Sequence, residues 1–152
     1  MNFTPKFDTD AMGTAKKGYE PVTNYMAKHL VTFKPDDEIG FVINQLNHHK
    51  ISGAPVLNER EELVGLIAEQ DCLRVVLDSV YHNQPVSKQV VGDYMQKDII
   101  SVSYEADVVD VANMFLKHQF GRFPVVKDGK LKGQVSKRDI LRAALKIQFT
   151  TW

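Results

Sequence analysis

Two stretches, GLIAEQDCLR (Gly65–Arg74) and GQVSKRDILR (Gly133–Arg142), hold Gly, Asp, Leu and Arg at the same spacing. Working outward from them, Leu63, Gly65, Asp71, Leu73 and Arg74 fall on Leu131, Gly133, Asp139, Leu141 and Arg142, a shift of 68 positions. LNEREELVG is one residue longer than VKDGKLKG, and upstream of that turn the shift becomes 69. Val22, Tyr25, Met26 and Lys28 then meet Val91, Tyr94, Met95 and Lys97, and Asn44, His49, Pro55 and Val56 meet Asn113, His118, Pro124 and Val125. The chain is therefore built from two copies of a unit of about 55 residues, which organises everything else in it.

Each copy reads β-α-β-β-α, an α+β pattern. A short strand (HLVTF, IISVS) precedes an acidic helix start, PDDEI or YEADV, which suits the positive end of a helix. Val108, Val111, Ala112, Phe115 and Leu116 then follow the stripe of an amphipathic helix, and Ile39, Val42, Ile43 and Leu46 repeat it, with Asn47 defecting. Two strands follow (APVLN with LVGLIA, FPVVK with LKGQVS). They are joined by EREE or DGK, the latter carrying the Asp-Gly of a tight hairpin. On the closing helix Cys72, Leu73, Val76 and Leu77 match Ile140, Leu141, Ala144 and Leu145, read as one apolar face. The organisation is an N-terminal extension over 1–21, units over 22–82 and 91–147, a linker over 83–90 and a tail over 148–152.

Bulk composition sets the bounds. With 43% hydrophobic and 25% charged residues the chain is globular rather than disordered. Nineteen basic and nineteen acidic residues cancel, so no global field exists to hold nucleic acid or anionic lipid. The single cysteine, Cys72, has no disulfide or CxxC partner and sits in an apolar run, which reads as a buried, inert thiol. Neither a signal peptide nor an apolar run of about 20 residues is visible, so the expectation is a soluble cytoplasmic protein without a membrane partner. Phe3, Phe7, Met12 and Tyr19 show no clean period; the extension reads equally as a free tail or a docked arm. A unit of about 55 residues buries too little apolar surface to be comfortable alone. Two such units are expected to pack sheet face to sheet face, with pseudo-twofold symmetry and two equivalent clefts.

The ordered set VTNYMAKHLVTFKPDDEI…ISGAPVLN…ELVGLIAEQDCL, with its second copy VGDYMQKDIISVSYEADV…FGRFPVVKDGKLKGQVSKRDIL, resembles the cystathionine-β-synthase (CBS) domain. The tandem resembles a Bateman module, over about residues 22–146. The resemblance implies a regulatory module that binds adenine nucleotides or related adenosyl ligands in its clefts, with AMP, ADP or ATP expected. It also implies a homodimer formed through helices of both units, with CLRVVLDSVY and ILRAALKIQF supplying the face, and a regulated partner protein of unknown identity. The short extension and tail suggest a stand-alone pair with no catalytic domain attached.

In CBS pairs a Ser/Thr-x-x-Asp at the start of the closing helix holds the nucleotide. The Asp accepts from ribose hydroxyls, and the hydroxyl and helix amides face phosphate. By matching position, Ser136 and Asp139 would be completed by Thr23, Lys28, Ile51, Ser52, Gly53 and Pro55, with Lys137, Arg138 and Arg122 adding positive charge. The mirror cleft would use Asp71 with Gly92, Lys97, Phe120, Gly121 and Arg122. Its helix start reads Ala68-Glu69-Gln70, so a hydroxyl is missing and a carboxylate stands where a cation would help. That cleft is expected to bind weakly, to take a neutral adenosyl ligand or to stay empty. Ser136-x-x-Asp139 is equally a helix capping box, and the two roles are compatible.

These residues are compatible with three functions. A nucleotide sensor is favoured, and a homodimeric interaction module with vestigial clefts is the alternative. A small hydrolase lacks an activated nucleophile or carboxylate–metal cluster in the sequence, and no GxSxG, HExxH or Walker loop appears. Adjacent His48 and His49 cannot share a helix face as metal ligands, and His49 and His118 read as helix C-terminal caps. No metal site and no catalytic residue is assigned.

Overall fold

The computed structural model describes residues 19–147. Phe3, Phe7 and Met12 of the extension and the tail beyond Ile147 lie outside the described residues. Described residues fall into two compact units, one over Val31–Ile99 and the other combining the residues up to Leu30 with those from Ile100 onward. Each repeat thus lends its first nine or so residues to the unit made mainly by the other.

In the second unit the elements are β3 (Val102–Ser103), α3 (Val108–Lys117), β4 (Arg122–Lys127), β5 (Lys130–Ser136) and α4 (Lys137–Ala144). The first unit holds α1 (Ile39–His49), β1 (Gly53–Leu57), β2 (Leu63–Ala68) and α2 (Glu69–His82). β4 and β5 form an antiparallel hairpin, turning at Asp128 and Gly129 with φ of 54° and 78°, as the Asp-Gly pair predicts. β1 and β2 pair the same way. Their longer turn is held by Asn58, whose Oδ1 accepts from the amides of Arg60 (2.9 Å) and Glu62 (3.0 Å). β3 lies parallel to β4. The strands expected over HLVTF and IISVS are shorter than read: Phe33 makes only a parallel bridge to Val56, and pairing in the second copy is limited to Val102–Ser103. The chain is passing from one unit to the other at Leu30 and at Ile99, so pairing starts only where it reaches its own sheet.

The lent segments are held by paired backbone bonds. Ala27 and Gln134 exchange amide-to-carbonyl bonds of 2.8 and 2.9 Å in the second unit, and Gln96 and Leu66 exchange bonds of 2.8 and 3.0 Å in the first. Next to each bridge stands the glycine common to both copies. A Cβ on Gly133 would lie 2.7 Å from the carbonyl oxygen of Ala27 and from Met26 Sδ, and one on Gly65 would lie 2.8 Å from Met95 Cγ. The repeated glycine is therefore the clearance for the incoming segment. Behind it Val22, Tyr25 and Met26 join a core with Val111, Phe123 and Val135, while Val91 joins one with Phe33, Ile39, Val42, Val56 and Ile67. Each such side chain contributes about 1.5–3 kcal/mol by leaving water.

Helix faces correct the sequence reading in two places. On α3 the buried arc is Val108, Val111, Met114 and Phe115, whereas Leu116 is 88% exposed. At 3.6 residues per turn Leu116 lies well off the arc's centre, and Met114 lies on it. On the closing helices Cys72 and Ile140 are buried, but Leu73, Val76, Leu77, Leu141 and Leu145 are exposed. The inward arc of α2 is Asp71, Cys72, Val75 and Ser79, so the expected single apolar face splits: Cys72 and Ile140 turn inward and the leucines beside them turn outward. Among the described residues no helix is long and apolar enough to cross a membrane.

Polar caps begin these helices. Asp107 and Asp110 cap α3 reciprocally, at 2.9 and 3.0 Å. Ser136 Oγ accepts from the Asp139 amide (3.1 Å) and Asp139 Oδ2 accepts from the Ser136 amide (2.8 Å). On α2 only half of this exists: Asp71 Oδ2 accepts from the Ala68 amide at 2.8 Å, and Ala68 offers nothing in return. Both aspartates also accept from an arginine three residues on, Arg74 or Arg142. His118 ends α3 through its backbone amide, 2.9 Å from the Met114 carbonyl, and His49 Nε2 meets Gln45 Oε1 at 3.2 Å.

Two stability measurements check this packing. In urea denaturation Gly133→Ala is expected to lose about 1–3 kcal/mol through overpacking against the Ala27 carbonyl. Gly121→Ala, where a Cβ meets nothing within 4 Å, should stay within about 0.5 kcal/mol of the parent. Asp71→Ala removes the carboxylate that accepts from the Ala68 amide and from Arg74; a loss of about 1–2 kcal/mol is expected, and an unchanged midpoint would refute the capping role.

Candidate functional site

β5 ends in Ser136, whose extended backbone (φ −106°, ψ 164°) hands the chain to α4. Arg122, the first residue of β4, lies directly opposite Ser136 in the ladder, and Phe123 opposite Val135. Phe123 and Val135 are buried in the second unit's core, so by strand alternation Arg122 and Ser136 share the other face of the hairpin. Gln134, two residues before Ser136, carries the bridge to Ala27 and so sets Lys28 beside the same strand. Thr23 sits half-exposed in the short turn Val22–Asn24 of that segment. The second unit thus brings Gly121 and Arg122 to the helix start at Ser136–Asp139 and ties the segment carrying Thr23 and Lys28 to the strand that leads there; Phe120 precedes Gly121 and packs on Phe123.

The amides at the helix start are partly used. The Lys137 amide donates to the Gly121 carbonyl at 3.2 Å and the Asp139 amide to Ser136 Oγ. The Arg138 amide has no partner among the described residues, leaving one free donor at the positive end of α4. Asp139 is mostly buried. Its Oδ1 accepts from Arg142 Nη1 at 3.1 Å, and Arg142 Nη2 reaches the Tyr25 carbonyl at 3.3 Å. Each carboxylate oxygen retains a lone pair, so Asp139 can still accept from a ligand hydroxyl. The sequence reading above does not include Arg142 among the site residues. Its signal was the Arg three residues after Asp in both copies.

In the first unit the same architecture is depleted. Gly53 lies opposite Ala68, and the Glu69 amide donates to the Ser52 carbonyl at 2.9 Å. Ile51, Ser52, Gly53 and Pro55 therefore stand beside the Asp71 helix start within this unit. Pro55 is buried, and its carbonyl accepts from the Phe33 amide at 3.0 Å. Gly92 is pinned by its amide to the Pro35 carbonyl at 2.7 Å, and Lys97 follows the Gln96 bridge. Asp71 is 0% exposed and paired with Arg74. A structural role thus accounts for the aspartate in the copy that lacks the hydroxyl.

Charge separates the two. Lys28, Arg122, Lys137 and Arg138 are exposed and make no ion pair among the described residues. Their repeat counterparts are Lys97, Gly53, Glu69 and Gln70, which sum to no net charge. Cys72 lies on the inward arc of α2, where burial, with the Asp71 and Glu69 carboxylates beside it, pushes its thiol up and away from nucleophilic chemistry.

Comparison with known proteins agrees with this architecture. The family model of the CBS domain matches residues 22–78 and again 91–146. The protein MJ1225 of Methanocaldococcus jannaschii is 31% identical over 123 residues, covering 81% of this chain. An inosine-5'-monophosphate dehydrogenase of the same organism is 29% identical over 116 residues, covering 76%. The chain spans 42% of the length of the first and 22% of the second. A crystal structure of CBSX2 in complex with AMP matches with a TM-score of 0.71 and 30% identity, over 84% of this chain and 97% of that one. CBSX2 is a chloroplastic CBS domain-containing protein of Arabidopsis thaliana, and its full sequence is 29% identical over 165 residues, covering 90% of this chain and 68% of that protein. With the model matching twice over most of its length, on the two copies read from the repeat, the chain belongs to the CBS-domain family as a tandem CBS pair.

Proposed function

We propose that this chain is a regulatory module that binds an adenine nucleotide and acts, without catalysis of its own, on a partner protein. The observation that carries the reading is the second unit's helix start. There Ser136 and Asp139 cap each other, the aspartate keeps spare lone pairs, and Lys28, Arg122, Lys137 and Arg138 make no ion pair among the described residues. AMP is the ligand named for the similar CBSX2 crystal, which supports an adenosyl ligand here. In this reading Asp139 takes the ribose hydroxyls, Ser136 and the Arg138 amide take the first phosphate, and Thr23 adds a hydroxyl. The first unit's counterpart, with Gly92, Lys97 and Asp71, binds anionic ligands weakly because Glu69 opposes them. The signal is a difference in ligand affinity between two arrangements of the protein, read out by the partner.

Self-association belongs to the same proposal. In the first unit α2 turns Leu73, Leu77, Val80 and Tyr81 outward, at 58–79% exposure; in the second, Leu141 of α4 and Leu145 just after it are exposed. An apolar helix face of this extent is what a homodimer through the closing helices requires. It also favours the second reading, a homodimeric interaction module whose ligand sites are vestigial.

Calorimetric titration with AMP, ADP, ATP and S-adenosylmethionine separates the readings. The sensor predicts one nucleotide per chain, with affinity reduced at least about tenfold in Asp139→Ala, equivalent to about 1.4 kcal/mol, and little changed in Asp71→Ala. No binding below millimolar concentration in any arm would leave the interaction module standing. By sedimentation, Leu77→Glu with Val80→Glu is expected to convert a dimer to monomer without loss of helical signal; a parent already monomeric would remove the association proposal.

A further inference from the structure

Resting on the self-association proposed above, we infer that copies of this chain pair unlike faces: the first unit's outward face takes the second unit of another copy, with Glu69 of one chain set against Lys137 of the other. In the first unit a groove of about 350 Å³ runs between α1 and α2, with Leu46, Asn47, Glu69, Leu73 and Val76 in its lining. At about 100° per residue, Glu69, Leu73, Val76 and Val80 fall within an arc of about 60° on α2, clear of the inward arc through Asp71, Val75 and Ser79. Leu73, Val76 and Val80 are all exposed. Glu69 is exposed as well and makes no ion pair among the described residues. A lone acid thus stands in the middle of an outward apolar face.

Whatever covers Leu73, Val76 and Val80 also covers that carboxylate. Taking a carboxylate out of water without a partner is costly, and covered charges are tolerated when they are paired. The occupant must therefore be apolar with a cation set inside the apolar area. An identical face fails this requirement, because it brings a second Glu69 to the same interface.

The second unit's face meets it. The repeat puts Lys137 where the first unit has Glu69, Leu141 where it has Leu73, Ala144 where it has Val76 and Leu145 where it has Leu77. Leu141 and Leu145 are exposed, and Lys137 is exposed without an ion pair among the described residues. On the neighbouring helix the exposed Leu116 occupies the position of the groove-lining Asn47. The two faces are apolar around one matched position at which their charges are opposite, so they complement each other and repel their own kind. Each copy carries one of each, and a closed pair makes the contact twice.

Sedimentation equilibrium of the full chain tests the pairing by charge reversal. An exposed ion pair changes affinity by up to about fivefold, so a contact made twice should change it by about tenfold. Glu69→Lys alone and Lys137→Glu alone are each expected to weaken the dimer by about that factor. The double reversal, and an equimolar mixture of the two single variants, should return to within about threefold of the parent. Circular dichroism checks the fold of each variant. Should a reversal lose it, Glu69→Gln, Lys137→Gln and their combination form the same cycle, with the combined loss no greater than the larger single loss. Single reversals that dimerise like the parent, or a double reversal that restores nothing, overturn this inference and leave self-association through other contacts standing. A monomeric parent overturns both and gives the groove to a different protein.

Discussion

The paired backbone bonds between Ala27 and Gln134, and between Gln96 and Leu66, turn two repeats into two interdependent units. Each repeat, taken alone, lacks the Val, Tyr and Met that complete its hydrophobic core. Those residues arrive from the head of the other repeat, and the bridge fixes their register against the strand that leads into the closing helix. The glycine beside each bridge follows from this. Any side chain at Gly133 would strike the Ala27 carbonyl, so the spacing that first identified the repeat records a steric requirement of the exchange. Because the incoming segment is joined to β5, whatever displaces Thr23 or Lys28 also acts on the strand that ends in Ser136.

Capping and ligand chemistry share one helix end. Asp139 and Asp71 both anchor their helices through a backbone amide and an arginine, so the aspartate in each copy has a reason that is independent of any ligand. What distinguishes the copies is everything around it: the hydroxyl of Ser136 against Ala68, and cations against Glu69 and Gly53. A fold can drop the hydroxyl and reverse the charge and still start its helix, since an acid near a helix N-terminus remains favourable. Two equivalent frames thus carry unequal chemistry, and the inequality is concentrated in side chains exposed to solvent.

Much of this was legible in the order of residues. The repeat, the β-α-β-β-α pattern, the Asp-Gly hairpin, the Ser136 capping box and the buried Cys72 all follow from local spacing, and the structure has them, with the first copy's leading strand reduced to the Phe33 bridge. Less legible were helix faces. The apolar residues of α2 fall on two arcs, so periodicity alone did not say whether Leu73 and Leu77 or Val75 turned inward. The inward arc holds a capped aspartate and a serine, which hydropathy reads as surface. The Arg142 link to the Tyr25 carbonyl spans 117 positions and has no local signature at all.

The sequence by itself determined that there are two copies of one unit, which elements each contains, where the helices begin and which copy bears the positive charge. These are short-range properties, set by side-chain periodicity, turn chemistry and the choice of residue at a cap. Only the tertiary structure decided that the head of each repeat belongs to the opposite unit, and that Arg122 faces Ser136 across a hairpin. It alone turned the apolar residues of the closing helices outward. Those outcomes depend on which distant backbone groups pair and which surfaces are already covered, and no local pattern encodes either.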